Sequence, residues 1–187
     1  PLYQMLQQHN PAIRLQIRTQ HTQEAFDSIE RREMDVAFVV REIASPCVTV
    51  KPFFAEEMML LRLASPKRQA GDIVEIKELE PQHEVFIIWN KEFQFKHDQW
   101  WDPHCPSRIH LDSAGLITTF MKDIRQWAIV PASVGAHMIQ SGQFVLQKLS
   151  EPIPQRICYK ATHKFPYMAL NKTLCILDNY LQTIFGV

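Results

Sequence analysis

Several things are absent from this 187-residue chain, and each absence removes a class of function. There is no excess of one charge sign. Lys plus Arg is 20 and Asp plus Glu is 20, for a net charge of zero. Gripping a phosphate backbone rests on cationic excess, so this piece does not read as a nucleic-acid binder, whatever a neighbouring domain does. There is no paired-cysteine motif. Cys47, Cys105, Cys158 and Cys175 are far apart, which speaks against a zinc ribbon or a disulfide framework and fits thiols in a reducing cytosol. No apolar run approaches the roughly 20 residues of a membrane helix. No signal peptide is visible, but the chain opens "PLYQMLQQHNP", without Met and in a helical pattern, and so reads as a fragment, from which any N-terminal signal would be lost. P-loop, GxSxG and dinucleotide fingerprints are missing too, as are internal repeats and low-complexity segments.

What is present is ordinary globular composition, 46% hydrophobic and 21% charged, enough for one α/β domain or for two small lobes sharing a sheet. Leu2, Met5 and Leu6 fall at helical spacing, and Asn10-Pro11 stops that helix. "AIRLQIRT" alternates, Ile13, Leu15 and Ile17 against Arg14, Gln16 and Arg18, which predicts a half-buried strand. Thr22 suits a helix N-cap, with Glu24 in the first turn and Ala25, Phe26 and Ile29 as the inner face. "DVAFVV", residues 35 to 40, has no alternation and predicts a central strand covered on both faces, as in parallel sheets. Together these make a right-handed βαβ unit. Ligands of open α/β sheets sit beyond the carboxyl ends of strands, near helix N-termini. Thr19 to Thr22 lie at such an end. Asp35 lies at the other end and reads as solvated or capping local backbone.

Further on, "CVTVKPFF" and "EMMLLRLA" predict two strands joined near Ala55, with Met58 to Leu61 as core. The polar, Pro- and Gly-containing stretch 65–82 predicts a crossing into a second lobe. "EVFIIW" predicts a strand and "KEFQFKHDQWW" a helix. "RIHL" predicts a strand, followed by a helix "AGLITTFMKD" capped by Asp112 or Ser113. "WAIV" predicts a strand, and Pro131 starts the helix "ASVGAHMIQS", which Gly142 ends. "FVLQKL" and "RICYKAT" predict strands. Leu170, Leu174, Leu177, Leu181 and Ile184 predict a long closing helix. The order places lobe one, then lobe two, then a return to lobe one. Two crossings make a hinge, and a cleft between lobes is where small ligands bind.

"PAIRLQI" at Pro11 to Ile17, the spaced set from Thr22 to Val39 ending in "REMDVAFV", "PFFAEEMMLL" at Pro52 to Leu61, and "LDSAGLITTFMKDIRQWAIVP" at Leu111 to Pro131 together resemble the regulatory domain of LysR-type transcriptional regulators. The resemblance runs over nearly the whole chain in the right order. It implies a periplasmic-binding-protein-like α/β fold with two subdomains, a cleft and two crossing strands: subdomain I at 1–64 and 160–187, subdomain II at 65–159. In that family the domain follows a winged helix-turn-helix and a linker helix, neither present here, and the first regulatory strand with its effector-contacting loop would precede Pro1. One departure is that Arg125, Gln126 and Trp127 stand where the family has a small Gly-containing turn, so that Trp127 fills part of the cleft or alters which effector fits.

Carried over by position, the effector-binding candidates are Thr19, Gln20, His21, Thr22, Val40, Arg41, Trp89, Asn90, Asp112, Ser113 and Trp127. Hydroxyls, helix N-termini and an Arg suit a small anion, and Trp89 offers an apolar wall. The plainer alternatives are that Thr22 and Ser113 only cap helices and that Arg41 is a solvated loop charge. "KHDQWWDPHC" carries His97, Asp98, Asp102, His104 and Cys105 near His110, but the spacing matches no closed metal site and Pro103 breaks the helix that a paired motif needs. Trp100 and Trp101 read as packed aromatics. No metal, cofactor or catalytic residue is assigned.

The resulting expectation is the effector-binding and dimerising domain of a cytoplasmic LysR-type regulator. It would be a homodimer or homotetramer that senses a small, anionic ligand and reaches DNA only through the absent helix-turn-helix. The helix bearing Tyr3 and Leu6, with the strand after it, is the expected dimer face, the plainer alternative being simple packing against the sheet. The chief rival is a periplasmic solute-binding receptor of a transport system, which shares the architecture. An enzyme on the same fold is a weaker one.

Overall fold

The computed structural model describes residues 2–9, 13–102, 104 and 109–186. In chain order its elements are α1 (Leu2–Gln7), α2 (Thr22–Glu30), β1 (Val36–Val39), β2 (Val48–Glu56), β3 (Met58–Leu63), β4 (Ile73–Val74), β5 (Val85–Ile87), α3 (Lys91–Trp100), β6 (Ile109–Leu111), α4 (Ile117–Phe120), β7 (Trp127–Pro131), α5 (Ala132–Met138), β8 (Phe144–Leu149), β9 (Arg156–His163) and α6 (Met168–Phe185), with short 3-10 turns at 76–78, 81–83, 114–116 and 139–141. The chain divides into two compact units. Unit 1 comprises Pro1–Ala55 and Ile157–Val187, and unit 2 comprises Glu56–Arg156. The chain therefore passes twice between them, once in β2 and once in β9. The expected subdomain limits, after Ala64 and after Tyr159, fall later than these. β3 belongs to unit 2, where it pairs with β7 and β8, and the polar stretch 65–82 lies wholly inside unit 2 rather than forming a crossing.

Unit 2 is built on a four-stranded sheet in the order β4-β8-β3-β7, with the parallel pair β5-β6 beside it. A parallel bridge from Glu84 to Trp127 joins the start of β5 to the start of β7. Apolar runs without alternation are what a sheet covered on both faces requires, and that is how these strands pack. Met58 and Leu60 of β3, Phe86 of β5 and Trp127 and Ile129 of β7 enter one cluster with Phe93 and Trp101 of the α3 region. Leu61, Val85, Ile87, Ala128 and Val130, facing the other way, join Ile117, Met121, Met138 and Phe144. The apolar strands "EVFII" and "WAIV" are therefore read correctly from the sequence. Gly135 lets α5 lie close on β8: a Cβ there would stand 2.5 Å from a Leu146 methyl carbon.

Unit 1 has a three-stranded sheet in the order β1-β9-β2. Ala25, Phe26 and Ile29 of α2 pack on Ala37, Val39, Val48 and Ala161. Leu6 of α1 packs with Leu177 and Leu181 of α6, so the closing helix forms as its spacing predicts. Leu6 is thereby core within this chain and not free for a partner, which removes it from the expected dimer face, while Tyr3 is exposed.

Two expectations for unit 1 are corrected. The alternating segment 13–18 is not a strand. Alternation decides which side of a segment turns inward, but a strand also needs a neighbour to accept and donate its backbone hydrogen bonds, and none among the described residues pairs with it. A cavity of about 330 Å³ lies between this segment, Glu33 to Val36 and helices α1 and α6, and Leu15 and Ile17 are 36% and 58% exposed. With no first strand there is no βαβ unit. Second, β1 is not a parallel strand covered on both faces. It runs antiparallel to β9, and Phe38 on its outer side is partly exposed, against Phe53 at 5.1 Å between ring centroids.

Candidate functional site

In unit 1, α2 packs back along β1 after the turn at 31–35, so the start of α2 and the end of β1 lie at the same end of the unit. Thr19, Gln20 and His21 precede the helix, exposed and outside regular structure. Val40 and Arg41 follow the strand, and Arg41 is exposed. The helix cap is His21, not Thr22: the His21 backbone N–H donates to Glu24 Oε2 at 3.2 Å, and Thr22 is the first helical residue. The Gln20 side-chain amide reaches Ser28 Oγ at 3.5 Å.

In unit 2, β5 and β6 are parallel neighbours in register, Ile87 opposite Leu111. Their continuations, Trp89-Asn90 and Asp112-Ser113, therefore emerge at one end. Asn90 caps α3, its Oδ1 accepting from the Phe93 N–H at 2.7 Å. Asp112 and Ser113 are exposed, and Ser113 makes no side-chain cap bond. The expected helix "AGLITTFMKD" is only a 3-10 turn followed by the four-residue α4. Gln126 supplies the reason. Its Oε1 accepts from the N–H groups of Lys122 at 2.7 Å and Asp123 at 2.9 Å, a local alternative to helical bonding. Arg125 closes on Asp123 at 2.6 Å and holds that carboxyl well below the usual carboxylate range.

Trp127 must be withdrawn from the site. It is 1% exposed, its ring lies 4.9 Å from that of Trp101, and its Nε1–H donates to Glu80 O at 3.0 Å. A large aromatic with its polar atom satisfied inside the core has nothing left to offer a ligand.

Trp89 sits in a polar arrangement that the sequence did not announce. Its Nε1–H donates to Ile129 O at 2.7 Å, and the Arg156 guanidinium stands 5.5 Å over its ring. Arg156 pairs with Glu56 Oε1 at 3.5 Å, and Glu56 Oε2 accepts from the Ser133 N–H at 2.8 Å, at the start of α5. Glu56 is 6% exposed and Arg156 Nε is buried without a hydrogen-bond partner. Glu56 is the first residue of unit 2 and Arg156 the last, so one ion pair ties the two strands that carry the chain across. A glutamate and an arginine 100 positions apart leave no spacing signature.

Of the metal candidates, His97 is buried and its Nε2 lies 2.7 Å from Glu84 Oε1, with both side chains at most 1% exposed. Trp101 and Phe86 pack on the same ring. Cys105 and Pro103 lie outside the described residues. Among the described residues no group of three or more His, Cys, Asp or Glu is arranged to hold a metal ion. Trp100 donates to Glu151 at 2.7 Å and, with Lys96 at 3.1 Å, holds that carboxyl below its ordinary range. Among the described residues no helix is long and apolar enough to cross a membrane.

The family model described as LysR substrate binding domain matches residues 1–168. The chain belongs to that family. Among solved structures it is similar to the reduced form of the OxyR regulatory domain from Pseudomonas aeruginosa, with 20% identity and a TM-score of 0.70 over 97% of this chain and 86% of that one. It is also similar to the BenM effector binding domain with its effector benzoate, at 13% identity and a TM-score of 0.69 over 98% of this chain and 85% of that one. Against full-length BenM the identity is 15% and the TM-score 0.73, and the chain spans 62% of that protein's length. At these identities the likeness establishes the fold, the periplasmic-binding-protein-like α/β architecture of LysR substrate binding domains. No curated protein matches the chain.

Proposed function

We propose that this chain is the effector-sensing and dimerising domain of a cytoplasmic LysR-type transcriptional regulator, taking a small anionic ligand. The observation that carries the reading is family membership over residues 1–168, which favours a regulator over a transport receptor. The chemistry of the strand ends supports it. Thr19 to Thr22, Val40 and Arg41 in unit 1, and Trp89, Asn90, Asp112 and Ser113 in unit 2, follow strands or precede helices and offer hydroxyl, amide and backbone N–H donors with one cation. Because BenM's domain takes benzoate, aromatic carboxylates head the ligands to try. The ligand acts by differential affinity for two arrangements of the protein, and DNA is reached through a helix-turn-helix outside this chain. No catalysis is assigned.

A thermal-shift screen of small carboxylates, benzoate included, identifies a ligand, and calorimetry measures it against Thr22→Ala/Ser113→Ala. Removal of two hydroxyl contacts should weaken binding about tenfold or more while stability changes little. Unchanged affinity in the double variant removes these residues from the site, and turnover of any ligand removes the regulator reading.

A further inference from the structure

Unit 2 contains a concavity built by residues that play no part in the proposed effector site. β3 ends in Arg62 and Leu63, and the chain turns through residues 64–72 before β4. That turn, Glu78, Ile124 and Gln147 of β8 wall a space of about 720 Å³, within the range of small-molecule sites. Arg62, Lys67 and Arg68 line it against two acids, Asp72 and Glu78.

The two guanidiniums are held without being neutralised. Arg68 Nη1 donates to Leu63 O at 2.9 Å and Nη2 to Ile124 O at 2.8 Å, acceptors that fix its direction and leave its charge. Arg62 Nη1 stands 3.5 Å from Gln147 Oε1, and its Nε is buried with no hydrogen-bond partner. Neither forms an ion pair among the described residues. Asp72 is engaged locally, its Oδ2 accepting from the Gln69 N–H at 2.9 Å and from Gln147 Nε2 at 3.3 Å. Glu78 is exposed and acts on Arg62 only through space. Burial makes both guanidiniums harder to keep charged, and Arg62 adds to that effect on Arg68. Two partly desolvated like charges beside an unfilled donor are an unfavourable arrangement that an anion relieves.

We propose that this concavity binds a small multivalent oxyanion, with Arg62 and Arg68 as its principal contacts and Lys67 and Ser65 at its rim. The guanidinium fork matches the paired oxygens of a carboxylate or phosphate. Ile73, Val74 and Pro66 supply an apolar wall for the rest of the molecule.

The test is calorimetry of the whole chain at constant ionic strength with two probes, citrate for the polycarboxylate source and inorganic phosphate for the other. Saturable binding is expected with at least one, weakened about tenfold or more by Arg62→Gln, less by Lys67→Gln, and unchanged by Arg14→Gln in unit 1. No saturation with either probe, or equal losses in Arg62→Gln and Arg14→Gln, overturns the proposal. Should Arg62→Gln not fold cooperatively, amide shifts of the unmodified protein decide. Shifts centred on residues 62–74 and 147 support the site, and shifts elsewhere or none refute it. The effector reading stands or falls separately, since its residues are not varied here.

Discussion

Unit 2 buries both faces of its sheet. The inward and outward side chains of β3 and β7 enter two separate clusters, and Phe86 of β5, between Val85 and Ile87, need not be polar because neither side of that strand meets water. Unit 1 has the same ingredients in lesser measure. Its sheet is covered by α2 on one face and only in part by α1 and α6 on the other: Phe38 is partly exposed, a cavity of about 330 Å³ opens beside β1, and Leu15 and Ile17 are 36% and 58% exposed. The difference teaches that periodicity specifies a face, whereas a partner makes the strand. Where partners are present, as in unit 2, continuous apolar runs became strands as expected. Where none is present, a clean alternation stayed without regular structure.

The comparison breaks most visibly at Trp127. Its ring is enclosed in the core of unit 2, so Trp127→Ala should cost about 3–5 kcal/mol by leaving a cavity that the sheet cannot collapse into, and it strips the donor from Glu80 O as well. Amide hydrogen exchange reads the effect by unit: protection in β3, β7 and β8 should fall far more than in α2 and β1. Equal losses in the two units would mean that they unfold as one body, and the contrast drawn between them would have no energetic content.

A smaller effect is expected where unit 2 buries polarity instead of hydrocarbon. His97 and Glu84 hold one another at 2.7 Å out of reach of water. Removing one member of such a pair strands the other, so His97→Ala should destabilise by about 3 kcal/mol. The double variant His97→Ala/Glu84→Ala should lose less than the sum of the two single changes, because the second no longer breaks a contact. Strict additivity in urea denaturation would show that the two side chains do not depend on one another.

Those two sites also mark the limits of what could be read from residues alone. The strands β5, β7 and β8 and the helix α6 were legible because each advertises itself in a local pattern, and the positions following β5 and β6 were legible because sheet topology places strand ends together. The unit boundary was not. The chain crosses inside β2 and β9, where the pattern is that of ordinary strand, while the polar stretch 65–82 that looked like a crossing is folded into unit 2. Glu56 with Arg156, and Glu84 with His97, are partners in space only. The cap at His21 in place of Thr22, and the helix cut short by Gln126, turn on single hydrogen bonds that compete on nearly equal terms with those expected. Trp127 was misplaced for a related reason: its bulk was visible in the sequence, and the direction in which the strand turned it was not.

The least disruptive change is the one that bears on the comparison most directly. If the segment 13–18 is an unpaired run in which Leu15 and Ile17 are only partly covered, at 36% and 58% exposed, then Leu15→Ser and Ile17→Ser remove less buried surface than a core substitution does. Each should shift stability by about 0.5 kcal/mol or less, the range of surface substitutions away from structural features. An inward-facing strand would respond differently, since burying a Leu or Ile side chain is worth about 1.5–3 kcal/mol, and both variants would then fall together. Because Leu15 and Ile17 belong to the same face of the alternation as Ile13, which packs against the α1 and α6 cluster, Ile13→Ser serves as the internal standard. It should cost more than either neighbour, and a series in which all three are equally damaging would show that the segment is paired after all and that unit 1 is as complete as unit 2.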